Sequence, residues 1–112
     1  MDIDIKTWLY DILNAINEIE SFFSGIPAGF SQYQKDLKTR RAVERNIEII
    51  GEAMNRILIR DTSVQLSNSR KIVDTTNRII HGYDSVSDDL IWGIIINHLP
   101  ALKSEIGKLL EE

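Results

Sequence analysis

Cysteine is absent from this chain of 112 residues, and histidine occurs only twice, at His81 and His98. The first absence excludes a disulfide framework, a thiolate metal site and a cysteine nucleophile. The second, with the two imidazoles well separated in sequence, argues against a zinc centre. No apolar run approaches the roughly 20 residues of a membrane-spanning helix, so no membrane association is expected. No segment alternates apolar and polar residues over strand length, so no sheet is expected either. Asp2, Asp4, Asp11, Glu18 and Glu20 interrupt the apolar positions of the first 24 residues, a pattern unlike a secretory signal. Together these absences fit a protein of the cytoplasm.

What is present suits one compact domain spanning 1–112, because 43% apolar content supplies a single core without metal or disulfide support. The net charge of −4 excludes a globally basic surface. It also conceals an asymmetry. Residues 1–24 hold five acids against Lys6, whereas residues 35–60 hold seven bases against four acids. A local basic surface is therefore possible, and Arg40, Arg41 and Arg45 are candidates to contact a nucleic acid, although a solvated helix face or subunit contacts explain them as well.

Apolar periodicity predicts helices throughout. Ile5, Trp8, Leu9, Ile12, Ile16, Ile19 and Phe23 form one stripe, and Ser24 to Gly29 gather turn residues after it. A second helix starting between Ser31 and Asp36 carries Val43, Ile47, Ile50, Met54 and Ile57 as a packing seam. Its like-charged neighbours, Glu44 with Glu48, Glu48 with Glu52, and Arg41 with Arg45, call for partners elsewhere. A third helix begins near Ser67–Ser69, turns Ile72, Val73, Thr76, Ile79 and Ile80 inward, and has Gly82 as a carboxyl-end cap. The last helix runs from about Asp88 to Leu110 with a broad apolar face, bent or split by Pro100. Short polar connections between such helices favour an all-α, antiparallel, up-and-down bundle.

Asn77, Arg78 and His81 are spaced to share one helix face, and Asp74 extends that polar strip by a turn. A histidine at a helix carboxyl end can be poised for proton transfer, yet helix capping and an ordinary Asp74–Arg78 pair explain the same residues. His98 reads better as a packed or interface histidine than as a ligand, and Trp8 and Trp92 as anchors of the core or of a subunit contact.

The run Asn77-Arg78-Ile79-Ile80-His81-Gly82-Tyr83, with Asp84, the Trp92 helix and Asn97-His98-Leu99-Pro100 after it, resembles the HepT-like branch of the HEPN superfamily. So does the upstream segment from Arg41 to Ala53, and the resemblance covers nearly the whole chain. It implies a four- to five-helix, HEPN-like bundle that forms a homodimer. The implied activity is a metal-independent ribonuclease, needing no cofactor, that acts as the toxin beside a minimal nucleotidyltransferase antitoxin. The family's motif is an arginine, four residues, a histidine, one residue and a tyrosine. His81 and Tyr83 fill the last two positions. Thr76 falls at the arginine position, where a threonine hydroxyl cannot replace a guanidinium on the scissile phosphate. Arg78 is a substitute close in sequence but about 200° away around the helix. The resemblance further implies that His81 transfers protons while the ribose 2′-hydroxyl attacks, and that the antitoxin can inactivate the toxin by adding AMP to Tyr83. A tyrosine packed at the bundle end is the alternative for Tyr83. Two functions stay open: a ribonuclease, and a nuclease-inactive module that binds its nucleotidyltransferase partner or RNA.

Overall fold

The computed structural model describes residues 1–23, 29–81 and 87–111, and every regular element among them is helical. The turn expected at Ser24 to Gly29 falls, but for Gly29, outside the described residues, as do the Gly82 cap and Tyr83. Helix α1 (Ile3–Phe22) starts at Asp2, whose Oδ1 accepts the N–H groups of Asp4 at 2.8 Å and Ile5 at 3.2 Å. The Ile5 bond foremost, helped by Arg60, holds the Asp2 carboxyl below the ordinary carboxylate range. The expected stripe is buried at Ile5, Leu9, Ile12, Ile16 and Ile19. Trp8 sits at the stripe's edge with the Arg60 guanidinium 5.4 Å from its ring centroid.

The second expected helix is two. Helix α2 (Phe30–Lys35) and helix α3 (Leu37–Arg60) meet at Asp36, whose extended backbone ends one and starts the other. Its carboxylate accepts both the backbone N–H of Thr39 at 3.1 Å and the Thr39 hydroxyl at 2.7 Å, so side-chain capping compensates the interrupted backbone ladder. All five seam residues of α3 are buried, and α3 packs against α1 on one side and helix α4 (Ser69–Ile80) on the other. Arg60 at the end of α3 pairs with Asp2 and Asp4 at 2.9 Å each, so α1 and α3 run antiparallel.

The final helical run comprises α5 (Asp88–Gly93), a π-helical turn at Ile94–His98, and α6 (Leu99–Glu111). Ser87 caps it, accepting the Leu90 N–H at 3.2 Å. The interruption expected at Pro100 is this widened turn. Proline has no N–H and its ring crowds the carbonyl four residues back, and the π turn, closed by Leu99 N–H on the Ile94 carbonyl, relieves that crowding. Lys103 of α6 pairs with Glu20 near the end of α1 at 2.9 Å, so these two helices are antiparallel as well. Among the described residues the result is an all-α, up-and-down bundle of five helices, the last interrupted by its π turn.

An aromatic knot joins the ends of α1, α2 and α5. Trp92 meets Phe23 edge-on at 5.6 Å, Tyr33 at 5.4 Å and Phe30 at 6.2 Å between centroids. Tyr33 is 2% exposed and its hydroxyl has no hydrogen-bond partner among the described residues. Burial first, then the nearby Asp88 and Glu44 charges, push its phenol well above the usual range.

Candidate functional site on the outward face of α4

Helix α4 is fixed to α3 by an unusually close approach. Thr76 is 2% exposed and its hydroxyl donates to the Ile47 carbonyl at 3.1 Å. That carbonyl belongs to the helical turn closed by the Gly51 N–H. A Cβ on Gly51 would lie 2.6 Å from Thr76 Cβ and 2.9 Å from its Cγ2, with Oγ1 nearer still. Only glycine lets the two backbones come this close. Ile72 and Thr75 complete the buried face, and the Thr75 hydroxyl is turned back onto the Lys71 carbonyl at 2.8 Å. Ile80, expected inward, is 51% exposed. It stands about 40° around the helix from Thr76 and about 80° from Ile72, at the margin of the buried face.

Anchoring α4 on that side leaves the opposite side to water. Asp74, Asn77, Arg78 and His81 are all exposed, on neighbouring turns of one face. Arg70 and Lys71 continue this face toward the start of the helix. A groove of about 590 Å³ runs beside it, lined by Arg70, Lys71, Asp74, Thr75, Arg78 and, across from them, Leu90 of α5 among others. The backbone N–H of His81 closes the helix on the Asn77 carbonyl at 3.1 Å. His98, half-buried on the π turn, has its imidazole pushed below its usual range by burial and, next, by the Lys71 charge. Among the described residues no three of His, Asp and Glu converge as metal ligands, and no helix is long and apolar enough to cross a membrane.

Arg40, Arg41 and Arg45, in the first turns of α3, stand differently. Arg41 and Arg45 bond Glu44 and Glu48 at 3.1 Å each, one turn along the same helix. Arg40 has its Nε 3.2 Å from Asp88 Oδ1, a charge contact outside hydrogen-bonding angles, and its Nη1 donates to the Gln34 carbonyl at 3.3 Å. Each is thus matched to a carboxylate, which also relieves the like-charge neighbours along α3. Arg70 and Lys71 were not singled out by sequence reasoning. Their signal was available in the spacing of 70, 71, 74, 78 and 81 on one helix face, opposite the apolar positions.

Among the described residues the chain is an all-helical antiparallel bundle in which an exposed histidine closes α4. The family model "Ribonuclease HepT-like" matches residues 12–109. The chain is 30% identical over 113 residues to "Putative RNase MJ0127" of Methanocaldococcus jannaschii, covering 97% of this chain and 89% of that protein. It is 32% identical over 105 residues to "Putative RNase MJ1380" of the same organism, covering 92% and 94%. With "Probable ribonuclease HepT" of Thermococcus cleftensis it shares 33% identity over 105 residues, covering 93% and 94%. No solved structure matches the chain. The chain belongs to the HepT-like ribonuclease family of the HEPN superfamily.

Proposed function

We propose that this chain cuts RNA by metal-independent transesterification in the cytoplasm, with His81 moving the protons and Arg78 neutralising the scissile phosphate. The observation that carries this reading is the shared exposure of Asn77, Arg78 and His81 on the last turns of α4, in a chain of the HepT-like family. Thr76 cannot reach a phosphate, because its hydroxyl is buried and donated to Ile47. Arg78, three residues before His81, lies only about 60° from it around the helix, so the guanidinium and imidazole can flank one phosphodiester.

The chemistry balances with these two groups. A neutral His81 takes the proton of the ribose 2′-hydroxyl as the 2′-oxygen bonds to phosphorus, and the bond from phosphorus to the 5′-oxygen breaks. The leaving oxygen takes a proton from an imidazolium, giving a 2′,3′-cyclic phosphate and a 5′-hydroxyl. Arg78 offsets the charge that builds on the phosphoryl oxygens. A homodimer would bring a second His81 to serve as the acid, and the half-exposed Ile80 beside His81 offers apolar surface for such a contact. A minimal nucleotidyltransferase antitoxin is the proposed partner. AMP added by it to Tyr83 would block the RNA phosphate by bulk and charge.

A second reading, a nuclease-inactive module that binds the nucleotidyltransferase or RNA, is favoured by the burial of Thr76 at the family's arginine position. End-labelled RNA incubated with the pure chain in chelator separates the two. The nuclease reading expects cyclic-phosphate products, reduced roughly 10²–10⁴-fold by His81→Ala and by about 10²-fold or more by Arg78→Gln. Cleavage indifferent to His81→Ala removes the site assignment, and no cleavage by the unaltered chain favours the binding module.

A further inference from the structure

The chain is acidic overall, yet α4 holds Arg70, Lys71 and Arg78 against Asp74 alone. None of these three cations has an ion-pair partner among the described residues, in contrast to Arg40, Arg41 and Arg45. They line one groove with an apolar wall at Leu90, and the same helix face ends at His81. Unmatched cations along a groove on the helix that carries the proposed cutting residue are the elements of a backbone-binding track. A cation already held by a carboxylate releases fewer counterions when phosphate arrives, because it must first give up its partner.

We infer that single-stranded RNA is held along the groove beside α4, its phosphates contacting Arg70 and Lys71 upstream and Arg78 next to His81, and not along the arginines of α3. This deepens the nuclease reading and rests on it. The eleven helical steps from Arg70 to His81 rise about 17 Å, the length of about five stacked nucleotides. Arg70 and Lys71 therefore serve long substrates and are out of reach of a dinucleotide. Asp74 sits in the middle of the track, one turn from Lys71 and one from Arg78, and opposes binding there.

The test uses a fluorescent single-stranded RNA of about twelve nucleotides, methylated at every 2′-oxygen so that it cannot be cut, and fluorescence anisotropy across a salt series. Paired Arg70→Gln and Lys71→Gln substitutions are expected to reduce the salt slope of the logarithm of affinity by about 1.4, two contacts at about 0.7 each for single strands. Arg41→Gln with Arg45→Gln, the same change in net charge, should leave the slope unchanged, and Asp74→Asn should tighten binding. Cleavage of an unmethylated dinucleotide should be indifferent to the Arg70 and Lys71 substitutions, while cleavage of a long RNA falls. Glutamine preserves helix propensity at these exposed sites, so circular dichroism should be unchanged. RNA binding that responds equally to both pairs, or more to the α3 pair, overturns the track and leaves the nuclease reading standing. Loss of self-association by the Arg70 and Lys71 variant, with its salt slope intact, makes this face a subunit contact and also overturns it. An unaltered chain that neither binds nor cuts RNA overturns both.

Discussion

Replacing Gly51 by alanine tests how α4 is held. In an exposed helix this change would stabilise the protein by about 1 kcal/mol, since alanine is the better helix former. Here the new methyl would sit 2.6 Å from Thr76 Cβ and 2.9 Å from Cγ2, whereas carbons rest about 3.5–4.0 Å apart. Rotating Thr76 relieves Oγ1 and Cγ2 but not Cβ, which is fixed to the α4 backbone, so the helices must separate by about 1 Å. Overpacking of this kind costs about 1–3 kcal/mol or somewhat more, and moving α4 also weakens the Thr76 bond to Ile47. The expected net loss is about 1–2 kcal/mol, a fall in Tm of about 4–8 °C for a domain of this size. Thermal and urea unfolding followed by circular dichroism measure it. Thr76→Gly removes all three blocking atoms, so the double variant should be more stable than the sum of the single effects by about 1 kcal/mol. A Gly51→Ala chain as stable as the original, with no coupling to position 76, refutes the close approach.

Two further outcomes follow from buried polar groups. Tyr33→Phe removes a hydroxyl without a hydrogen-bond partner among the described residues and should leave Tm equal or higher, whereas Tyr33→Ala should cost about 3–5 kcal/mol by opening the aromatic knot; a clear loss in Tyr33→Phe would reveal a bond to that hydroxyl. His98 should titrate below the usual imidazole range by NMR, and Lys71→Gln should raise its midpoint. With the folded pKa depressed, the unfolded chain binds the proton more tightly, so stability is full above about pH 6.5 and declines as pH falls below it. A midpoint unmoved by Lys71→Gln would deny that the two side chains interact.

The seam of α3 and the stripe of α1 were legible because burial follows helical period, and each of their principal positions is buried. The break at Asp36 was less legible, since one capping carboxylate decides it and the apolar pattern runs on past it. On α4, Asn77, Arg78 and His81 share a face as their spacing requires. Which residue would be buried opposite them was only partly readable. Thr76 looks like a lost functional group in a motif, but it faces Gly51, and nothing local in sequence announces a contact between residues 25 apart. The pairs Arg41–Glu44 and Arg45–Glu48 were readable at three-residue spacing, and they are what distinguishes these two arginines from the cations of α4. Tyr83 and Gly82 lie outside the described residues, so the motif's last turn is known by its order in the sequence alone.

The π turn gives the carboxyl-terminal helix a property that residue type does not capture. Ile94 and Leu99 are both buried although five positions apart, a spacing that a regular α-helix would turn to different sides. Closing the turn to α-helical pitch with all its residues kept would rotate everything after it by about 100°, and Leu102 and Ile106 would leave the core together. Deleting one residue at the exposed Ile96–Asn97 step would instead leave Ile94 and Leu99 four positions apart, about 400° around a regular α-helix, so both would still face the core and α6 would keep the face that meets α1. The turn thus holds one residue more than the α-helical register needs, and a deletion there should be less damaging than the same deletion elsewhere in this helix.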